Sequence, residues 1–162
     1  LIKVIAQIEQ NGVMIDSKSL NKQSIDLADR IKKVEANVYK LANKEFNIGS
    51  PKQLQEIFYE DLKLPILKKT PKGKPSTNED VMQELSLTHE LPKLILQYRN
   101  LMKLKNTYTD KLGNQINLKT KRLHTSYNQT VTLTGRLSSS NPNLQNIPIK
   151  TQDGKNIRKA FL

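Results

Sequence analysis

The stretch DSKSLNKQSIDLADRIKKVEANVYKLAN, residues 16–43, decides the fold class of this chain. Its apolar residues recur at spacings of seven, four and three, and they are Leu20, Leu27, Ile31, Val34, Val38 and Leu41. This spacing places them along one side of a helix, as in coiled coils. Asp16 is a good N-cap, so we predict one long amphipathic helix from Asp16 to about Asn43.

A second long helix is predicted from Leu91-Pro92 to about Leu112. Its apolar positions are Leu94, Ile95, Tyr98, Leu101, Met102, Leu104 and Tyr108. Two long helices with matching apolar sides are expected to pack antiparallel, as a stalk.

The segment between the two long helices begins and ends with helix-start signals. Ser50-Pro-Lys-Gln53 has the form of a capping box and predicts a helix that ends near Asp61. Ser76-Thr-Asn-Glu79 predicts a second, short helix to about Ser86, with Ser76 and Thr77 as its caps. A loop rich in lysine and proline lies between them. We call residues 68–77 the basic tip of the stalk; its cations are Lys68, Lys69, Lys72 and Lys74.

The two ends of the chain carry shorter elements. Leu1–Gln10 predicts a helix that stops at Asn11-Gly12, and residues 13–15 an extended piece. Residues 116–128 and 129–133 are rich in Thr, Val, Leu and Tyr and predict short strands, and residues 157–162 predict the start of another. The fold class is therefore α+β, mainly α, with a few short antiparallel strands. So small a sheet is marginal by itself, and we expect the chain to be a fragment of a longer protein.

The charge of the chain points to a polyanionic partner. The 162 residues include 27 Lys and Arg against 15 Asp and Glu, which gives a formal net charge of +12. Residues 1–62 are balanced, whereas Asp110 is the only acid between Leu91 and Gln152. The second half should therefore hold the anion site.

Other properties of the composition exclude several protein classes. There is no cysteine, so disulfides and zinc fingers or ribbons are excluded and an intracellular location is favoured. No apolar run is long enough to span a membrane, and we expect no signal peptide. Aromatic residues make up 5% of the chain and Trp is absent, which disfavours a helix that binds a membrane surface.

The run TLTGRLSSSNPNLQNIP, residues 132–148, carries the most specific functional signal, and we call it the amide loop. It contains no acid and a single base, Arg136, among hydroxyls and amides. Leu137, Leu144 and Ile147 supply anchors for a rigid, irregular surface. Neutral donors and one cation suit a nucleic-acid backbone and the edges of base pairs. The candidate contacts are Arg136, Ser138, Ser139, Asn143, Gln145 and Asn146; the alternative is that these amides hydrogen-bond within their own loop.

Two further groups are candidates for phosphate contact. Lys103, Lys105, Asn106 and Thr107 lie near the end of the second long helix, where the alternative is an ordinary solvated face. In the basic tip, Lys74, Ser76 and Thr77 stand at a helix start, and helix N-termini attract phosphate. We assign His124 and Tyr127 to packing.

The chain resembles the polymerase region of family A DNA polymerases. The matching blocks, in order, are Gly12–Asp16, Phe46-Asn47, Ser50–Leu54, Lys68–Pro71, Pro75–Thr77, Tyr98-Arg99, Lys103–Tyr108, His124–Tyr127, Thr134–Ser139, Pro142–Pro148, Ile157-Arg158 and Ala160-Phe161. The blocks Thr134–Ser139 and Pro142–Pro148 are highly specific to the family, and the blocks in the predicted helices are individually weaker signals. The chain departs from the family pattern at Lys121, where Gly is common, at Gly113, where Pro is usual, and at Asn106 and Asn141, where Ser and Asp are frequent.

The resemblance implies a place in a polymerase. Residues 1–112 would be the thumb subdomain, with 1–12 a connection from an upstream exonuclease-like domain, and residues 113–162 the first part of the palm. The thumb would lie along the minor groove of primer–template DNA. Arg136, in the palm part, would test the shape of the newest base pair. The chain would stop before the palm carboxylates, so we expect no catalytic residue and no metal ligand in it. The parent would be a monomeric, nucleoid-associated enzyme of the bacterial cytoplasm that uses dNTP and two Mg²⁺ ions.

One alternative from another class stays open at this point: a non-enzymatic, basic helical module that binds nucleic acid. A generic binder of this kind has no need for a rigid amide loop. A purely structural helical adaptor would bind no DNA even at low salt.

Overall fold

A computed structural model describes all residues, 1–162. The first two predicted helices are confirmed as α1, Ile2–Asn11, and α2, Ser17–Ala42. Gly12 ends α1 in a backbone conformation with φ 59°, and a side chain there would collide with the Leu123 carbonyl oxygen. Asp16 caps α2 as predicted, because its Oδ1 accepts a hydrogen bond from the Ser19 amide at 3.0 Å.

The predicted start at Ser50 is confirmed, with one change in its hydrogen bonds. Helix α3, Pro51–Gln55, continues through a π-helical stretch, Glu56–Asp61, so the helical segment ends where expected. The Ser50 hydroxyl accepts from the Gln53 amide at 3.4 Å. Gln53, however, accepts from the Asn47 amide at 2.6 Å and does not return to Ser50. The reciprocal half of the capping box therefore secures the incoming loop.

The prediction that Ser76 and Thr77 cap the next helix is wrong. Helix α4, Glu79–Leu85, is capped by Asn78, whose Oδ1 accepts from the Val81 amide at 3.1 Å. Asn is as good an N-cap as Ser and stands directly before the first helical residue. Ser76 and Thr77 are buried, each 7% exposed, and belong to the structure beneath the basic tip.

The second long helix is confirmed and contains an irregularity. Helix α5, Glu90–Leu104, continues through a π-helical stretch, Lys105–Thr109, into α6, Asp110–Asn114. The Thr109 hydroxyl donates to the Lys105 carbonyl oxygen at 3.1 Å within this stretch. Such π-helical turns inside α-helices are frequently found at functional sites.

The sheet is smaller than predicted. Strand β1, Ser126–Asn128, pairs antiparallel with β2, Ser138–Ser140, in the register Ser126 with Ser140. Residues 129–133 form turns and bends, so the strand predicted there is wrong. The extended piece at 13–15 is confirmed by isolated bridges from Val13 to Leu123 and from Ile15 to Phe161.

The strand predicted at residues 157–162 is also wrong. Residues Gln152–Lys159 form helix α7, with Thr151 as N-cap accepting from the Gly154 amide at 3.1 Å. Asp153 in the first turn and Arg158 and Lys159 in the last suit the helix dipole. Ile157 and Ala160 are fully buried on one side of this helix.

The chain is divided into two compact units. Unit 1 contains Leu1–Leu27 and Lys103–Leu162, and unit 2 contains Ala28–Met102. The core of unit 1 includes Leu20, Tyr108, Leu112, Leu123 and Ile157, and that of unit 2 includes Val38, Phe58, Met82 and Ile95. Both the amide loop and the helical segment 103–107 belong to unit 1, and the basic tip belongs to unit 2. No helix is long and apolar enough to cross a membrane.

Candidate nucleic-acid interface

A pair of buried hydroxyls anchors the centre of the amide loop. Thr125 and Ser139, 8% and 4% exposed, lie with their oxygens 2.7 Å apart. The Thr125 hydroxyl also reaches the carbonyl oxygens of Ser140 and Pro142, at 3.0 and 2.7 Å. The Ser139 oxygen accepts from the Leu144 amide at 3.1 Å. Ser139, predicted to contact DNA, is therefore enclosed in the protein and shapes the loop from behind.

One side-chain amide of the loop forms a hydrogen bond within the loop, and the loop also exposes side-chain amides to solvent. Asn143 Oδ1 accepts from the Gln145 amide at 3.0 Å, so the alternative of bonding within the loop holds for this oxygen. Asn143, Gln145 and Asn146 are all exposed residues. Asn141 precedes them with φ 52°, a left-handed conformation that Asn tolerates better than most residues. The turn thus presents three amide side chains to solvent.

Arg136 is exposed at the start of the loop and forms no ion pair. Its backbone is held by the Thr132 hydroxyl, which donates to the Arg136 carbonyl oxygen. Gly135, with φ 72°, makes the turn just before it. Ser138 is half-buried in β2. The guanidinium is therefore available to a partner while its main chain is fixed.

The end of α5 presents a second exposed face in unit 1. Lys103, Asn106 and Thr107 are exposed, and Asn106 and Thr107 follow Lys103 by three and four residues, the spacings that place side chains on one side of a helix. The predicted contact Lys105 differs, because its Nζ lies 2.7 Å from Asp110 Oδ2 and 3.1 Å from the Ser24 oxygen. Lys105 is therefore engaged by the protein and is not a free phosphate ligand.

Asp110 balances this lysine. Its Oδ1 also accepts from the Ser24 hydroxyl at 2.5 Å. Partial burial alone would raise the pKa of Asp110, but the hydrogen bonds from Lys105 and Ser24 outweigh it and lower that pKa. The only acid between Leu91 and Gln152 is thus neutralised internally, and it does not repel an anion at the exposed faces.

Tyr108 connects the helical segment to the amide loop. Its ring is 2% exposed, and its hydroxyl donates to the Asn146 carbonyl oxygen. Burial raises the pKa of the Tyr108 phenol, so it stays protonated and a donor at neutral pH.

The basic tip in unit 2 is built differently. Thr70 donates its amide to the Lys74 carbonyl oxygen at 2.7 Å, and Gly73 to that of Thr70 at 2.8 Å, which closes a tight turn. Lys72 and Lys74 are exposed and form no ion pair, whereas Lys68 lies 3.7 Å from Asp80.

Below this turn, Ser76 and Thr77 hold the tip in place. The Tyr59 hydroxyl donates to the Ser76 carbonyl oxygen at 2.6 Å, and Arg99 donates to that of Thr77 at 3.2 Å. Ser76 and Thr77 are buried, so Lys74 is the only one of the three predicted DNA contacts at the tip whose side chain is exposed.

The resemblance implies two Mg²⁺ ions for the parent enzyme, held by residues outside this chain. Mg²⁺ prefers carboxylate oxygens with open positions for water and phosphate. No group of three His, Cys, Asp or Glu side chains is placed to hold a metal ion. Asp110, the only acid between Leu91 and Gln152, is already paired with Lys105. These residues do not form the donor set of a two-metal site.

Comparison with known proteins decides the family. The model of DNA polymerase family A matches residues 17–162. The chain belongs to DNA polymerase family A.

The similarity to individual family A members extends over the whole chain. It is 55% identical to the DNA polymerase I of Pseudomonas aeruginosa and 47% to the thermostable DNA polymerase I of Thermus thermophilus, in each case over 100% of its length. It spans 18% and 20% of those two proteins, about a fifth. Among solved structures, the POL domain of Pol1 from M. smegmatis, in complex with DNA primer-template and dNTP, matches with a TM-score of 0.89 at 40% identity. That match covers 99% of this chain and 28% of the other.

Sequence reasoning missed two residues that shape the interface, Thr125 and Tyr108. Tyr108 was counted among the apolar residues of the helix, and its hydroxyl gives no periodic signal. Thr125 lies in the block His124–Tyr127 but is one of many threonines. A hydroxyl at a position that the pattern predicts to be buried is the one available hint, because such groups need a partner.

Proposed function

We propose that residues 1–162 bind the primer–template duplex for a template-directed DNA polymerase, gripping it along the minor groove and the backbone. One observation carries the proposal: the amide loop presents an unpaired, exposed Arg136 and three exposed amide side chains on a main chain fixed by buried hydroxyls. A solved family A relative contains primer-template DNA and dNTP, which supports the choice of partner.

Arg136 checks the shape of the newest base pair. Minor-groove acceptors occupy similar positions for every base pair, so a guanidinium there can test pairing without reading sequence. Asn143, Gln145 and Asn146 donate to sugar and phosphate oxygens through neutral amides. Ser138, half-buried at the edge of the loop, is an additional donor.

Lysine side chains add electrostatic contacts to the DNA backbone. Lys103, with Asn106 and Thr107 beside it, contacts the backbone from the end of α5, and Lys74 contacts it from the basic tip. Ser139, Lys105, Ser76 and Thr77 position these groups from inside the protein. The family membership disfavours the alternative of a non-enzymatic basic module.

The same proposal covers the organisation of the polymerase. Residues 1–112 belong to the thumb and 113–162 to the palm, and the enzyme acts as a monomer in the bacterial cytoplasm, near the nucleoid. Binding of dNTP, the two Mg²⁺ ions and the chemistry are assigned to no residue of this chain.

Duplex binding at graded salt tests the proposal. We expect fluorescence anisotropy with a labelled primer–template to show binding at low salt and a log K that falls linearly with log salt, because Lys and Arg displace condensed counterions. A double-stranded RNA of the same sequence is the matched control and should bind more weakly. Absence of binding at low salt, or a flat salt dependence, would contradict the proposal.

A further inference from the structure

One buried side chain connects the helical segment 103–107 to the amide loop. Tyr108 follows Thr107 directly, and its hydroxyl donates to the carbonyl oxygen of Asn146, 38 residues further along the chain. Its ring is 2% exposed and therefore has almost no freedom to leave this position. A buried hydroxyl that reaches a backbone carbonyl fixes the orientation of that peptide group.

Tyr108 points into the protein from the π-helical stretch. In Lys105–Thr109 the chain places Asn106 and Thr107 in solvent and Tyr108 and Thr109 inside. Lys105 and Asp110, 2.7 Å apart, brace the stretch at its two ends. Movement of Tyr108 would therefore carry Thr107 with it on one side and the Asn146 peptide on the other.

We propose that Tyr108 is a positioning residue for duplex binding, which keeps Asn146 of the amide loop in register with Asn106 and Thr107 of the helical segment. The inference rests on the proposed DNA-binding function. Tyr108 does not touch the DNA; its hydroxyl sets where the Asn146 side chain stands. The two groups of neutral donors then meet the backbone as one preformed surface, and less ordering is needed on binding.

Tyr108→Phe is the direct test, because it removes the hydroxyl and leaves the ring. We expect the duplex dissociation constant of the 162-residue chain to rise about threefold to tenfold, the range of one hydrogen bond. The slope of log K against log salt should stay unchanged, since no charge is lost. Tyr39→Phe is the matched control. Its hydroxyl also makes a hydrogen bond, to Glu35 at 3.2 Å in unit 2, and its removal should leave the affinity unchanged.

A double-mutant cycle with Asn146→Ala separates positioning from general destabilisation. If Tyr108 acts through Asn146, Tyr108→Phe should have little further effect once the Asn146 side chain is gone. Full additivity of the two losses would overturn the proposal. Asn146→Ala alone reaches the same contact without disturbing the core, so wild-type affinity in this variant would overturn it even if Tyr108→Phe failed to fold.

The amide of Ile147 supplies a spectroscopic signature, because it shares a peptide group with the Asn146 carbonyl. Its NMR shift should change in Tyr108→Phe and not in Tyr39→Phe. If the proposed DNA-binding function itself were wrong, the wild-type chain would not bind the duplex at all. That result differs from wild-type binding that Tyr108→Phe leaves unchanged.

Discussion

The amide loop and the basic tip are two polar surface segments that are held and equipped in opposite ways. The loop is fixed by side-chain hydroxyls, with Thr125 and Ser139 behind it and Tyr108 at its end. The tip is closed by backbone hydrogen bonds of a tight turn, and Lys72 and Lys74 extend from it into solvent. The loop presents Arg136 and neutral donors on a backbone fixed by buried hydroxyls, and the tip presents exposed lysines on a turn. The first arrangement suits recognition of duplex geometry, and the second adds attraction that does not depend on position.

Among variants of the loop and the tip, we expect the largest loss of function from substitution of Arg136. We predict that Arg136→Ala lowers primer extension about 10- to 100-fold, the range for losing a two-pronged contact to a base edge, while duplex affinity falls by much less. The measurement needs catalysis, so it is made after grafting residues 1–162 into the DNA polymerase I of Pseudomonas aeruginosa, which is 55% identical over this span.

Arg136→Lys is the matched control for charge. Lysine keeps the positive charge and lacks the planar fork, so extension should stay low if geometry matters. Equal losses in extension and in duplex affinity for Arg136→Ala would contradict the minor-groove role.

A smaller effect is expected beneath the basic tip. Asn78→Ala should lower the free energy of unfolding by about 1 kcal/mol, because α4 loses its N-cap. Ser76→Ala should cost less, since the Ser76 hydroxyl accepts only a weaker bond from the Asn78 amide at 3.3 Å. Urea unfolding of the two variants compares them directly, and a larger loss for Ser76→Ala would show that the cap has been misassigned.

The smallest effect concerns Asp110 beside the helical face. Because its pKa is lowered in the folded state, ionised Asp110 contributes stability above its unfolded pKa of about 3.9, and this is lost as the pH falls through the folded value. Asp110→Asn should therefore cost stability at neutral pH and little at low pH. The Asp110 side chain is 38% exposed, so we expect a loss below about 1 kcal/mol. Urea unfolding at both pH values measures it; a loss that persists at low pH would contradict the ion-pair explanation.

The sequence predicted the helices better than the sheet, for physical reasons. The repeat from Leu20 to Leu41 and the cap at Asp16 are local signals, and both long helices formed where expected. Strand β2 has no such signal, because Ser138–Ser140 has no strand pattern. It is held in place by the hydroxyl of Thr125, which lies 14 residues from Ser139 in the chain. Side-chain hydrogen bonds between residues so far apart in sequence leave no periodic pattern from which they could be predicted.

Two of the sequence predictions are wrong because neighbouring residues carry competing local signals. Ser76, Thr77 and Asn78 are all possible caps, and only the position directly before Glu79 could be used. Residues 157–162 look strand-like by themselves, but the helix is started six residues earlier by Thr151. At the candidate interface, the exposure of Arg136 and of the loop amides was predictable from residue type. The burial of Ser139 and the pairing of Lys105 with Asp110 depend on tertiary contacts.

The salt dependence of duplex binding tests the central claim most directly, that the lysines of the tip act by charge and the amides of the loop by neutral hydrogen bonds. Two double variants are compared with the wild-type chain by anisotropy. Lys72→Ala with Lys74→Ala should reduce the slope of log K against log salt by about two, roughly one for each phosphate contact. Asn143→Ala with Gln145→Ala should lower the affinity at every salt concentration and leave the slope unchanged. A changed slope in the amide variant, or an unchanged slope in the lysine variant, would contradict the claim.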